Sequence, residues 1–280
     1  MERVELSFPY DFDRVLDRLS LDPLHAVDKE RKEVRVPLPG YKVATVQGKG
    51  SMESPVFEIN GIDSPEEFQH IQEIFHFNRS LEPINDHFQQ TNLAEIFKEH
   101  RGTPIVREFN LYGSLAKSII HQQLNLKFAH TLTTRFVHSF GHQVDGVWFY
   151  PEPERVAELT PETLREMQFS TRKAEYVIGL SKAVAEGELD LHSLSLLDDD
   201  EVIRTLTHYR GVGPWTAQNF LLFGLGRPNL FPIADIGLQN ALKKLWRLDD
   251  KPKAEDMAAH FPQWTPFMSY ASLYLWRSIE

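Results

Sequence analysis

The chain has 280 residues, of which 41% are hydrophobic and 25% charged, and its formal net charge at pH 7 is −10. It contains no cysteine, which excludes disulfides, thiolate zinc sites, cysteine nucleophiles and iron–sulfur clusters. No apolar run reaches the roughly 18 residues of a membrane helix, and no secretory pattern opens the chain, so we expect a cytoplasmic protein without a membrane partner.

The first part of the chain predicts a small α+β domain. Three segments rich in β-forming residues are bounded by turns, and these segments are 34–38, 41–47 and 56–60. Apolar residues at helical spacing between Tyr10 and Leu21 predict one helix, and Ser64 followed by proline predicts the start of another. We therefore expect an antiparallel sheet with two helices in residues 1–86, ending within 78–86.

From residue 87 onward the pattern changes to helix after helix. Helical spacing and start signals predict helices over 112–123, 126–140, 202–206, 214–225, 236–245 and 265–279. Thr160 and Ser170 are further helix starts. Residues 87–280 are thus expected to form a second, mainly α domain.

The charge pattern leaves two interpretations open. A net charge of −10 argues against nucleic-acid binding, because proteins that contact phosphates usually carry a basic surface. Residues 101–140 and 208–248 are nevertheless locally basic, whereas 186–201 is strongly acidic. This is either a random distribution or one basic face on an acidic protein.

Two glycines mark a tight connection between predicted helices, at Gly211 and Gly213. Glycine permits positive φ angles and close approach of a partner, and Pro214 suits the first turn of the next helix. The free N–H groups at that helix start could bind a phosphate. A plain helix–loop–helix turn explains the same residues.

Asp235 is the single acid in the apolar stretch 230–238. An isolated carboxylate in such surroundings requires a partner or a function. It could be a catalytic carboxylate. It could equally be the N-cap of the following helix, and both can hold at once.

Five segments together resemble the helix-hairpin-helix superfamily of DNA glycosylases, in its 3-methyladenine DNA glycosylase II branch. They are the hairpin 210–217 (RGVGPWTA), the segment 231–238 (FPIADIGL), the element 119–124 (IIHQQL), the ending 264–276 (WTPFMSYASLYLW) and the opening 8–12 (FPYDF). The resemblance covers nearly the whole chain. It implies an α+β N-terminal domain followed by a helix-hairpin-helix glycosylase domain.

The resemblance implies a function in base excision repair. Asp235 would be the catalytic carboxylate, and Trp215 stands where relatives that also cleave the strand carry a lysine, so no lyase activity is expected. The base pocket would include Trp215, Trp276, Asn219 and Ile236. Asn219 and Ile236 differ from the tyrosines of the best-known type, and the preferred lesion is therefore open.

The same resemblance assigns the contacts with DNA. Duplex DNA containing a damaged base would be gripped through Gly211, Gly213 and Thr216, and the base would be flipped out. Gln122 and Gln123 would lie at the duplex, with Gln123 filling the gap. A monomer is expected.

Backbone carbonyls of Thr207, Tyr209 and Val212 would hold a Na⁺ or K⁺ ion at the hairpin; no other cofactor is expected. Two rival functions remain open: a damage-binding module without excision, and a helical protein–protein adaptor.

Overall fold

The computed structural model describes residues 1–280. Its N-terminal part contains strands β1 (Glu2–Glu5), β2 (Ala26–Asp28), β3 (Glu33–Leu38), β4 (Lys42–Gly48) and β5 (Val56–Asn60). They form one antiparallel sheet with the order β1-β5-β4-β3-β2. The three predicted strands are the three central ones, so the expected antiparallel sheet is confirmed.

The two edge strands were not predicted. In β1 only Val4 is buried, and β2 has three residues, none of them fully buried. Short edge strands bury few side chains, so they leave little of the alternation by which strands are found in a sequence.

The two predicted helices of this part are present as α1 (Phe12–Leu19) and α2 (Pro65–Phe75). Asp11 caps α1 by accepting from the Arg14 N–H, and Ser64 caps α2 by accepting from the Glu67 N–H. Each helix turns an apolar face inward, and in α1 that face comprises Phe12, Val15, Leu16 and Leu19.

The rest of the chain is mainly helical, as expected. The helices are α3 (Glu82–Phe88), α4 (Ala94–Glu99), α5 (Leu111–His121), α6 (Leu126–Phe140), α7 (Pro153–Ala157), α8 (Pro161–Glu166), α9 (Thr171–Ala185), α10 (Asp199–Thr207), α11 (Pro214–Asn219), α12 (Ile236–Trp246), α13 (Ala254–Ala258), α14 (Phe261–Trp264) and α15 (Met268–Arg277). A small hairpin of β6 (His142–Val144) and β7 (Val147–Phe149) interrupts them and was not predicted. None of the helices combines the length and the hydropathy needed to cross a bilayer.

The predicted helix 214–225 is divided in the structure. It begins as α11 and continues as a π-helical segment, Phe220–Gly224. The carbonyls of Phe223 and Gly224, at the C-terminal end of this segment, accept from the Glu108 N–H at 2.7 Å and from Arg107 Nε at 2.8 Å. Hydrophobic periodicity does not distinguish a π turn from an α turn, and π segments are frequent at functional sites.

A buried ionic cluster joins the N-terminal part to α5. The Lys117 ammonium lies 2.6 Å from both carboxylate oxygens of Glu108 and 3.4 Å from Asp22 Oδ2. Around it, a continuous hydrophobic core extends from Val4 to Leu275. The division of the chain at 86/87 stays a prediction.

Two histidines, the buried His76 and the half-buried His121, are expected to make stability depend on pH. Burial, reinforced by nearby cations, lowers the pKa of His76 to about 3 and that of His121 to about 4. Both values lie below the ~6.5 of a free imidazole. The unfolded chain therefore binds more protons below pH ~6.5, and stability falls as the pH is lowered from there towards the folded pKa values.

We expect the free energy of unfolding to drop by roughly 2 kcal/mol per histidine between pH 7 and pH 5. Urea titrations at the two pH values measure it. His121→Gln should reduce the difference between the two pH values, and the exposed His192→Gln is the matched control. Equal pH dependence in the wild type and His121→Gln would contradict this assignment.

Candidate active site

The Asp235 carboxylate is held by three N–H donors from three places in the chain. Asp235 is the N-cap of α12, and its Oδ1 accepts from the Leu238 N–H at 3.0 Å. The Trp276 indole Nε1 donates to the same oxygen at 2.9 Å. The Trp215 indole donates to Oδ2 at 3.3 Å. The N-cap interpretation is confirmed, and the group is half-buried.

The two carboxylate oxygens are unequally engaged. Oδ1 has two donors within 3.0 Å, whereas Oδ2 has one longer bond to Trp215. N–H donors stabilise the ionised form of a carboxylate. The arrangement thus fixes the position of the carboxylate and leaves Oδ2 as the oxygen with spare accepting capacity.

Gly237 provides the space that brings Trp276 to Asp235. A Cβ atom at this position would lie 3.0 Å from Asp235 Oδ1 and 3.0 Å from Trp276 Nε1. Any side chain here would press against both partners of the hydrogen bond. Close packing between Asp235 and Trp276 therefore favours glycine at position 237.

The two hairpin glycines serve different purposes. Gly211 has φ +90°, and a Cβ there would lie 2.4 Å from the Tyr176 ring, so the turn excludes any larger residue. Gly213 has an ordinary φ of −93°, and nothing lies within 4 Å of an added Cβ. The backbone at Gly213 is consequently open to an approaching partner.

Gln122 ties the hairpin to the end of α5. Its Nε2 donates to the Gly211 carbonyl at 2.7 Å and to Thr216 Oγ1 at 3.1 Å. Thr216 is 1% exposed, so its hydroxyl holds Gln122 in this structure. The predicted contacts of Gln122 and Thr216 with DNA stay predictions.

Gln123 is exposed and lies in the turn that follows α5, where its φ angle is +58°. Of the remaining pocket candidates, Asn219 donates through Nδ2 to the Trp215 carbonyl at 2.9 Å. Ile236 is 62% exposed. The structure thus brings Asp235, Trp215 and Trp276 together. Asn219 lies one turn after Trp215 on α11, and Ile236 is exposed next to Asp235. The roles of these residues in a base pocket stay predictions.

Lys173, at the start of α9, is not among the predicted site residues. Its Nζ donates to the carbonyls of Ile119, Ile120 and Gln122 at 3.0, 2.7 and 2.9 Å. Burial lowers the pKa of this ammonium to about 8. A cation at a helix C-terminus complements the unpaired carbonyls and the dipole. No motif signals this contact, because the carbonyls belong to a distant helix.

Comparison with known proteins identifies the family of the chain. Residues 116–267 match the HhH-GPD superfamily of base excision DNA repair proteins. The chain belongs to this superfamily. It is 54% identical over 284 residues to the Bacillus subtilis protein named "Putative DNA-3-methyladenine glycosylase YfjP", with 100% of this chain and 99% of that protein covered.

Two solved structures share the fold. One is a 3-methyladenine DNA glycosylase from Archaeoglobus fulgidus, with TM-score 0.83, 23% identity and coverage of 99% of this chain and 97% of that one. The other is the Schizosaccharomyces pombe 3-methyladenine DNA glycosylase Mag1 in complex with abasic DNA, with TM-score 0.61, 26% identity and coverage of 70% and 95%. The predicted family and fold are confirmed.

Removing the indole N–H of Trp276 tests how Asp235 is held. Trp276→Phe keeps a ring but loses the 2.9 Å bond. Because a lost donor in a preorganised site weakens charge stabilisation in the transition state, we expect single-turnover base excision to fall about tenfold or more. Trp148→Phe, a half-buried tryptophan on β7, is the control. An unchanged rate in Trp276→Phe would contradict the assignment.

Removing the ammonium of Lys173 tests whether it stabilises the C-terminal end of α5 and the turn that follows. Lys173→Met keeps the length of the side chain but leaves three carbonyls without their donor. We expect a loss of stability of about 1–3 kcal/mol together with weaker DNA binding, measured by urea titration and fluorescence anisotropy.

The matched control for Lys173→Met is Lys182→Met, at an exposed position on the same helix. If both variants bound DNA as the wild type does, Lys173 would have no part in positioning the turn at Gln122.

Proposed function

We propose that this chain is a monofunctional DNA glycosylase that hydrolyses the N-glycosidic bond of alkylated, 3-methyladenine-type bases in duplex DNA. The observation that carries the proposal is the Asp235 carboxylate fixed by Trp215 and Trp276 beside the hairpin. Its 54% identity to a relative named as a DNA-3-methyladenine glycosylase supports the substrate class.

The chemistry follows from the charge that develops on the sugar. As the bond between C1′ and the base nitrogen breaks, the bonding electrons leave with the base and positive charge grows on the deoxyribose. Asp235 Oδ2, the less engaged oxygen, would face that charge and stabilise it. Water then forms the new C1′–O bond and loses a proton, which leaves an abasic site.

Strand cleavage by a Schiff base needs a free amine at the sugar. The hairpin offers Trp215 at the position where the resemblance places the lyase lysine. Lys173 has a lowered pKa, but its ammonium is committed to three carbonyls at the end of α5. This supports hydrolysis without lyase activity.

Duplex DNA is the proposed partner, as the abasic-DNA complex of the S. pombe relative suggests. The open backbone at Gly213, beside Gly211, would contact phosphate, and the exposed tip at Gln123 would enter the duplex when the base is flipped out. Amide donors at the hairpin allow such binding by a chain whose net charge is −10.

A monovalent cation fits the donor set of the hairpin. Neutral carbonyl oxygens are hard ligands, and those of Thr207, Tyr209 and Val212 come from the end of α10 and the turn that follows it. Gly211 with φ +90° shapes this turn. Bound there, Na⁺ or K⁺ would supply positive charge near a phosphate.

The decisive experiment is base release from methylated DNA. We expect the wild type to release 3-methyladenine or 7-methylguanine, and Asp235→Asn to lose that activity by more than about a hundredfold. Stability should change by less than ~1 kcal/mol, because asparagine is also a good N-cap.

The other outcomes of this experiment separate the rivals. Lesion binding without base release in the wild type would leave a damage-binding module. No preference for DNA would leave an adaptor. A borohydride-trapped covalent adduct would contradict the absence of lyase activity.

A further inference from the structure

An exposed cation lies in the hairpin, directly before its first glycine. The side chain of Arg210 is 81% exposed. Its guanidinium carbon lies 5.8 Å from the centre of the Tyr176 ring, and its Nη2 lies 4.0 Å from Glu175 Oε2. Both of these partners belong to α9. The Arg210 side chain therefore lies against α9, although its backbone belongs to the turn between α10 and α11.

These contacts hold the guanidinium only loosely. A charge-assisted hydrogen bond between a guanidinium and a carboxylate is about 2.7–2.9 Å long, so the 4.0 Å separation from Glu175 is too long for one. The Glu175 side chain is itself 42% exposed, and exposed ion pairs contribute little because water and salt screen them. A cation–π contact at an exposed site is also weak. A better acceptor can therefore draw Arg210 away from Glu175 at little cost.

The surroundings of Arg210 leave room for its side chain to move. A groove of about 420 Å³ lies between α9 and the end of α10, and its lining includes Glu175, Tyr176 and Arg210. A Cβ atom added at Gly179, in the same groove, would meet no atom within 4 Å, and the same holds at Gly213, three residues after Arg210. The guanidinium thus has open space both in the groove and along the hairpin.

The backbone next to Arg210 is, in contrast, held in place. Gln122 Nε2 donates to the Gly211 carbonyl at 2.7 Å. The Tyr176 ring fills the space that a side chain at Gly211 would need. Arg210 can therefore change the partner of its side chain while the hairpin keeps its position relative to α5 and α9.

We infer that Arg210 binds a phosphate of the DNA backbone beside the hairpin, and that Glu175 weakens this binding by competing for the same guanidinium. The inference rests on the proposed function and concerns the affinity for duplex DNA, not the choice of base. Phosphate is the better acceptor, because it can form a bidentate pair with the planar guanidinium. In a chain with a net charge of −10, the competition limits binding to any duplex, damaged or not.

The first test is the salt dependence of DNA binding, measured by fluorescence anisotropy over a series of KCl concentrations. One duplex carries a tetrahydrofuran abasic site and the other is undamaged. We expect Arg210→Gln to weaken binding of both duplexes about fivefold at about 0.1 M KCl. It should lower the slope of log Kd against log salt concentration by about 0.9, the value for one lost phosphate contact. Arg210→Lys keeps the charge and should keep the slope.

The second test is a double-mutant cycle between Arg210 and Glu175. Glu175→Gln should tighten binding of both duplexes about threefold, since exposed pairs of this kind are weak. In the Arg210→Gln background it should leave the affinity unchanged. The matched control is Glu5→Gln on β1, where Glu5 pairs with the exposed Arg3 at 2.8 Å. It changes the net charge by the same amount and should leave the affinity for DNA unchanged.

Three results would overturn the inference. One is an unchanged affinity and slope in Arg210→Gln. Another is a loss confined to the abasic duplex, which would place Arg210 at the flipped nucleotide, because a phosphate contact is independent of the lesion. The third is equal tightening by Glu175→Gln with and without Arg210, which would mean that Glu175 repels DNA directly.

Failure of the proposed function gives a different result. If the wild type bound the duplexes but released no base, the glycosylase proposal would fail, and the same titrations would still decide the role of Arg210. If the wild type released base and Arg210→Gln bound both duplexes as the wild type does, only the inference would fail. If the wild type bound neither duplex, both would be overturned.

Discussion

The site depends on one carboxylate whose position is fixed from three directions. Asp235 caps its own helix, and two indole N–H groups from α11 and α15 bring separate parts of the chain onto it. Each donor stabilises the ionised form. An isolated carboxylate would lose this charge stabilisation and could swing between rotamers. With the three donors it becomes a preorganised negative charge, which is the feature that bond cleavage with a cationic sugar requires.

A second set of contacts fixes the position of the hairpin relative to the exposed turn that follows α5. Lys173 binds the last carbonyls of α5, and Gln122 bonds to the hairpin at Gly211 and Thr216. Gln122 and Lys173 are therefore engaged inside the protein, whereas the backbone at Gly213 and the side chain of Gln123 remain exposed. A protein with a net charge of −10 can present a surface for DNA in this way, with few free lysines.

The sequence predicts what is local. The central strands, the bounds of α5, α6 and α12 to within two residues, the caps at Asp235 and Ser64, and the turn at Gly211 follow from propensity and periodicity. The π segment at Phe220–Gly224 does not, because hydrophobic periodicity does not distinguish a single π turn from an α turn. Lys173 was not predicted for a similar reason: it donates to carbonyls more than fifty residues away, and no local pattern records such a contact. Trp215 and Trp276 were predicted to line the pocket, but their bonds to Asp235 require the fold.

The central claim is that Asp235 stabilises positive charge on the sugar. The most direct measurement is the affinity for two duplexes that differ in that charge alone. One carries a cationic pyrrolidine in place of the target deoxyribose, and the other a neutral tetrahydrofuran. The wild type is expected to bind the cationic duplex more tightly by about two orders of magnitude, as a preorganised charge implies, and Asp235→Asn should bind both alike. An equal preference for the cation in Asp235→Asn would contradict the account.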